Sequence, residues 1–164
     1  MVDSQLSVGC DLNKYSPIAQ ENFFGQGAAD GMLTDAEVQS VLQATFDAND
    51  VTGQRVLVII PDSTRTMPMP LFFRLINEEI GRKAKKLDFL VALGTHPIMS
   101  DEAIFKLVGI TAEDRLSHYS RIGLFNHRWD LPETFVTLGT ITSEETLKIS
   151  RGLLSLQVPV RVNR

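Results

Sequence analysis

Two short apolar runs constrain this chain more than any other feature. Arg55-Val56-Leu57-Val58-Ile59-Ile60 is continuous and rich in β-branched residues, and Asp88-Phe89-Leu90-Val91-Ala92-Leu93 follows about one helix later. Runs of this length and kind are what strands buried on both faces of a parallel sheet require. Between them, residues 71–81 place Phe72, Leu75, Ile76 and Ile80 on one helical face and finish at Gly81, as an amphipathic helix with a glycine end does. Strand, helix and strand over this distance make a βαβ unit with a right-handed crossover.

The rest of the chain extends that pattern. Thr34-Asp35-Ala36-Glu37 has the form of a capping box, with Val38, Val41, Leu42 and Phe46 at helical spacing behind it. Ser100-Asp101-Glu102 opens another helix, closed by Gly109, and residues 121–125 read as a third, shorter strand. Residues 134–141 alternate, as a strand near an edge does. Residues 143–149 suit a short helix. Val158-Pro159-Val160-Arg161-Val162 suits a final edge strand, because Pro159 has no N–H for a central ladder. The expected fold class is therefore α/β: a Rossmann-like, mostly parallel sheet flanked by helices, with an antiparallel edge strand. Residues 1–30 mix polar residues with glycines and are expected to be a partly extended or loosely ordered N-terminal segment. Residues 31–164 form the α/β domain.

Composition narrows the function classes. At 164 residues the chain fits one compact domain. A net charge of −4 supplies no basic face for nucleic acid. The basic cluster Arg82-Lys83-Ala84-Lys85-Lys86 falls where a helix end is expected, and cations there complement the helix dipole. Cys10 is the only cysteine, so neither an internal disulfide nor a cysteine metal cage can form. There is no basic-then-apolar leader and no apolar run of membrane-spanning length. A cytoplasmic protein without a membrane partner is expected. No G-x-G-x-x-G, P-loop or G-x-S-x-G is present, and the three histidines lack metal-ligand spacing, so no metal site is expected.

Chemistry is expected where an open parallel sheet binds ligands, beyond the carboxyl ends of its strands. The first strand is followed by Pro61-Asp62-Ser63-Thr64-Arg65-Thr66-Met67-Pro68, the second by Gly94-Thr95-His96-Pro97 and the third by Asn126-His127-Arg128-Trp129-Asp130. Asp62, Ser63 and Thr64 either cap the following helix or belong to a site. Arg65 is a cation near a helix start, which opposes the dipole unless an anion is bound there; a carboxylate or phosphate would satisfy both. His96 sits directly after a strand and a glycine, where a neutral imidazole can exchange protons. His127 belongs either to the site or to a polar network with Asn126, Arg128 and Asp130. His118 precedes the third strand and is expected at the opposite end of the sheet.

These segments resemble, in order, those of the nickel-pincer lactate racemase-like family. Asp62-Ser63-Thr64-Arg65 with Pro68 and Pro70 is similar to D-x-T-R-x-x-P. Gly94-Thr95-His96-Pro97 with Ser100 and Glu102 is similar to G-T-H-x-x-x-T/S-x-E. Asn126-His127-Arg128-Trp129-Asp130 with Leu138-Gly139-Thr140 is similar to H-D/R-x-D…L-G-T. The likeness runs from about residue 51 to the C-terminus and corresponds to the N-terminal domain of that family; Thr66 departs from it where many members carry proline.

The resemblance implies two α/β domains with a cleft between them, and a nickel-pincer nucleotide that takes a hydride from the carbon of a 2-hydroxy acid and returns it to either face. It implies that His96 is a proton-transferring, catalytic histidine. Arg65 would face the substrate carboxylate and the cofactor, with His127 beside the substrate. Asp62, Thr64 and Thr95 would join Arg65 in contacting the cofactor. The family's second catalytic histidine, cofactor-anchoring lysine and nickel-ligating histidine belong to a later glycine-rich stretch that residues 1–164 do not contain. This chain alone is therefore expected to hold no cofactor, to be the N-terminal part of a 2-hydroxy acid racemase or epimerase, and to self-associate through surface that the rest of such a protein would cover. The alternative is a standalone module that binds a small carboxylate or phosphate without catalysis.

Overall fold

The computed structural model describes residues 24–27 and 30–164. Most of the expected loose segment 1–30, including Cys10, lies outside the described residues. Helix α1 (Asp35–Ala48) begins with the expected capping box: Thr34 Oγ1 accepts from Glu37 N, and Glu37 Oε2 accepts from Thr34 N at 2.8 Å. Strand β1 (Arg55–Ile60), helix α2 (Met69–Ile80), strand β2 (Lys86–Val91), helix α3 (Asp101–Val108), helix α4 (Ala112–Leu116) and strand β3 (Gly123–Asn126) follow. The three strands pair in parallel in the order β1-β2-β3. This is the expected α/β arrangement of a parallel sheet flanked by helices.

Two boundaries moved for local reasons. Helix α2 starts two residues earlier than its apolar spacing suggested, because Pro70 is tolerated in a first turn where its missing N–H costs nothing. It also ends at Ile80, so Arg82-Lys83-Ala84-Lys85-Lys86 caps no helix; the cluster forms the turn into β2, which Lys86 opens. Helix α4 was not expected. Its signal is a second capping box, in which Thr111 Oγ1 and the Asp114 carboxylate bond each other's backbone N–H.

A sequential order of parallel strands with right-handed crossovers puts both crossovers on one face of the sheet. That face is the core. Val56, Val58, Ile60, Leu87, Phe89, Val91 and Leu124 pack there with Phe73, Ile76 and Ile80 of α2 and Ile104 and Val108 of α3. The alternate side chains face the other way. Leu57 is 55% exposed, Ile59 66% and Phe125 52%. The expectation that the first run is buried on both faces is therefore corrected: it is buried on one.

The last two strands also leave the parallel sheet. Strands β4 (Phe135–Ile141) and β5 (Val158–Asn163) pair only with each other, antiparallel, with an irregularity between Thr137 and Gly139. Helix α5 (Ser143–Ile149) connects them. Both are edge strands, as their alternation and Pro159 indicate, but of a separate ribbon. One face of that ribbon carries Val136, Val158, Val160 and Val162, all more than a third exposed.

Candidate functional site

The carboxyl ends of β1 and β2 open into a cleft of about 470 Å³, lined by Ile59, Ile60, Pro61, Asp62, Arg65, Ala92, Leu93, Gly94, Thr95 and His96. Parallel pairing of Ile60 with Val91 brings the two strand ends level. Ala92 N continues the ladder to Ile60 O at 2.8 Å, and His96 N closes a turn on Leu93 O at 2.9 Å. Gly94 takes φ +60° in that turn, a left-handed conformation that side chains disfavour. Nothing lies within 4 Å of where its Cβ would be, so backbone shape and not crowding requires glycine there.

Asp62 is the hub of the cleft. Its Oδ1 accepts from Thr64 N at 3.0 Å and from Thr64 Oγ1 at 2.5 Å, an Asx turn closed by a threonine. Its Oδ2 meets Nδ1 of His96. Asp62 therefore caps no helix; the residue at the start of α2 is Pro68, with no side-chain cap. The carboxyl group is almost wholly buried, at 7% exposure, and its charge is kept by those partners. Hydrogen bonding from His96 first, and from Thr64 second, holds its pKa down at about 2 against an ordinary 3.8.

The same contact fixes the chemistry of His96. An ionised carboxylate only accepts, so Nδ1 carries the proton toward Asp62. In the neutral ring Nε2 is then the basic nitrogen, and among the described residues it has no partner. The His96 side chain is 51% exposed and lines the cleft. An acid orienting an imidazole whose other nitrogen is free is the arrangement of a general base.

Arg65 reaches the same cleft, and among the described residues it makes no ion pair. Its backbone N–H closes the turn on Asp62 O at 3.3 Å. Thr95 lines the cleft, whereas Thr64 serves Asp62. His127 is elsewhere. Its ring packs edge-on against Phe135, with centroids 5.7 Å apart, and its backbone N–H donates to Val91 O at 3.0 Å. Of the expected residues the fold thus brings together Asp62, Thr64, Arg65, Thr95 and His96, and leaves His127 outside. His118 lies beyond α4 beside Asp114, away from the cleft.

Asn126, expected in a polar network beside His127, and Trp129, for which no role was expected, both hold the loop that carries His96. Asn126 bonds the backbone of Met99 in both directions, and Trp129 Nε1 donates to His96 O at 2.9 Å. The only signal for Trp129 was its position after a third parallel strand.

Among the described residues no group of three or more His, Cys, Asp or Glu side chains is placed to hold a metal ion. None of the helices among them is long and apolar enough to cross a membrane. Toward the cleft Arg65 and Thr95 offer donors, and the free nitrogen of His96 offers an acceptor.

Comparison with known proteins agrees with this fold. Residues 31–162 match the lactate racemase N-terminal domain family. A crystal structure of a Thermotoga maritima protein, solved as a structural genomics target, is 28% identical and superposes with a TM-score of 0.65. The match covers 80% of this chain but 30% of that one, so this chain spans under a third of the relative's length. No curated protein matches the chain.

Proposed function

The chain belongs to the lactate racemase N-terminal domain family, and from that premise we propose that it supplies one wall of a 2-hydroxy acid racemase or epimerase site. In this reading His96 is the catalytic base: its Nε2 takes the hydroxyl proton of the substrate and returns it. Asp62 is a positioning residue that fixes the tautomer and the ring through Nδ1, with Thr64 holding Asp62. Arg65 pairs with the substrate carboxylate. One observation carries the proposal, the buried Asp62 holding Nδ1 of an accessible His96 in the cleft that Arg65 enters.

The family architecture implies a nickel-pincer nucleotide, whose chemistry is to accept and return a hydride at the substrate carbon. Arg65 and Thr95 fit the anionic side of such a group, and the cleft offers no cluster of metal ligands. Both oxygens of Asp62 are engaged, Oδ1 by Thr64 and Oδ2 by His96, so Asp62 serves such a cofactor only through His96. The exposed sheet face and valine ribbon also support self-association of the isolated chain.

Calorimetric titration with L- and D-lactate tests the proposal. Binding of both enantiomers is expected, because a racemase holds either hand, and Arg65→Ala should weaken it on the order of tenfold, the value of a charge-assisted bond. Binding of neither overturns it. Binding of inorganic phosphate but of neither lactate favours the anion-binding module, which the uncompensated Arg65 also supports.

A further inference from the structure

The candidate base is held from a side that its own strand does not supply. Residues 92–100 between β2 and α3 contain no helix or strand, and Gly94 gives their first turn a left-handed step. A single side-chain contact with Asp62 fixes the ring of His96. Yet the main chain at His96 and three residues further on is tied to the end of β3 and the loop that follows it. Trp129 Nε1 donates to the carbonyl of His96 at 2.9 Å. Asn126 Nδ2 donates to Met99 O at 2.9 Å, and Asn126 Oδ1 accepts from Met99 N at 3.2 Å.

The loop that does this tying carries a brace of its own. Arg128 and Asp130, on either side of Trp129, make two parallel bonds of 2.8 Å, the planar match of guanidinium to carboxylate. The loop is thus anchored to β3 at one end and braced across its turn.

We propose that Asn126 and Trp129 act as a clamp that sets the register of the loop carrying His96, so that Nδ1 meets Asp62 and Nε2 faces the cleft. They are positioning residues: neither lines the cleft, and they act through main chain, Trp129 at His96 and Asn126 at Met99. The physical basis is reach. A shift of about 1 Å in a supporting loop is enough to break a catalytic hydrogen bond, and this loop has no regular structure of its own to resist one. The role of the third strand-end loop is then to define the tautomer of His96. The inference deepens the reading of His96 as a base and rests on it.

The test is the tautomer of His96 in the full chain, read from long-range proton–nitrogen spectra of the neutral ring at about pH 8.5, roughly two units above the ordinary imidazole value. The wild-type ring should carry its proton on Nδ1. Trp129→Phe, which keeps an aromatic ring and removes only the donor, and Asn126→Ala should each lower the ratio of Nδ1–H to Nε2–H severalfold. Amide spectra that keep the dispersion of Phe73 and Phe89 establish that the variants are folded, and Asn126→Asp, which exchanges the amide donor for a charged acceptor, replaces Asn126→Ala if that variant unfolds. A wild-type ring protonated on Nε2 overturns the base reading itself. A wild-type ring protonated on Nδ1, with the same ratio in the folded variants, overturns the clamp alone.

Discussion

Asp62 Oδ2 and His96 Nδ1 are hydrogen-bonded although 34 residues separate them in sequence. Parallel register makes them neighbours, because the ends of β1 and β2 come level at Ile60 and Val91. This pair ties the acid limb of stability to the site. The carboxyl of Asp62 titrates at about 2 in the fold against an ordinary 3.8. A depressed carboxyl pKa contributes stability that is complete above the ordinary value and is lost as pH falls through the folded one. Urea midpoints should therefore fall between about pH 4 and pH 2, and Asp62→Asn should flatten part of that fall. An unchanged acid limb in Asp62→Asn would contradict the pairing.

The core predicts a second result. Phe89 is fully buried on β2 and its ring lies 4.8 Å from that of Phe73 on α2. Phe89→Ala removes this contact and leaves a cavity in a packed layer, which costs about 3–5 kcal/mol. Denaturation in urea should show that loss, without a change in the slope.

Much of this was legible in the chain because local rules and tertiary demands agree. The capping box at Thr34 and the Ser100 cap with Gly109 mark helix ends that the structure keeps. The site was legible for a different reason: strand ends in a parallel sheet converge, so Asp62, Arg65, Thr95 and His96 meet without any metal or nucleotide motif to announce them. What could not be read is which face of a continuous apolar run is covered. Val56-Leu57-Val58-Ile59 looks alike on both sides, and only the sequential strand order decides that Leu57 and Ile59 are left open. The place of His127 was hidden likewise, since its contact with Phe135 depends on a ribbon that leaves the sheet.

The helix end at Gly109 supplies a third prediction. Gly109 adopts φ +75°, and a Cβ there would sit 2.5 Å from Cβ of Pro70 on α2. The proline ring cannot turn aside. Gly109→Ala should cost about 2 kcal/mol or more, from left-handed strain together with the clash. Thermal unfolding reads it, and a neutral effect would show that α2 and α3 slide apart easily.

The open sheet face predicts association. Sedimentation at several concentrations should show the isolated chain forming larger species as concentration rises. Leu57→Lys with Ile59→Lys should shift the distribution toward the monomer. If the double variant associates as the wild type does, the valine ribbon or another surface is responsible.

The measurement closest to the central claim follows the ring nitrogens of His96 and the guanidinium of Arg65 during titration with each enantiomer of lactate. The account predicts that both L- and D-lactate shift Nε2 of His96 and the Arg65 side chain, while Nδ1 stays bonded to Asp62 and His127 is unmoved. Lactate that leaves His96 and Arg65 unchanged, or that perturbs His127 instead, would contradict it.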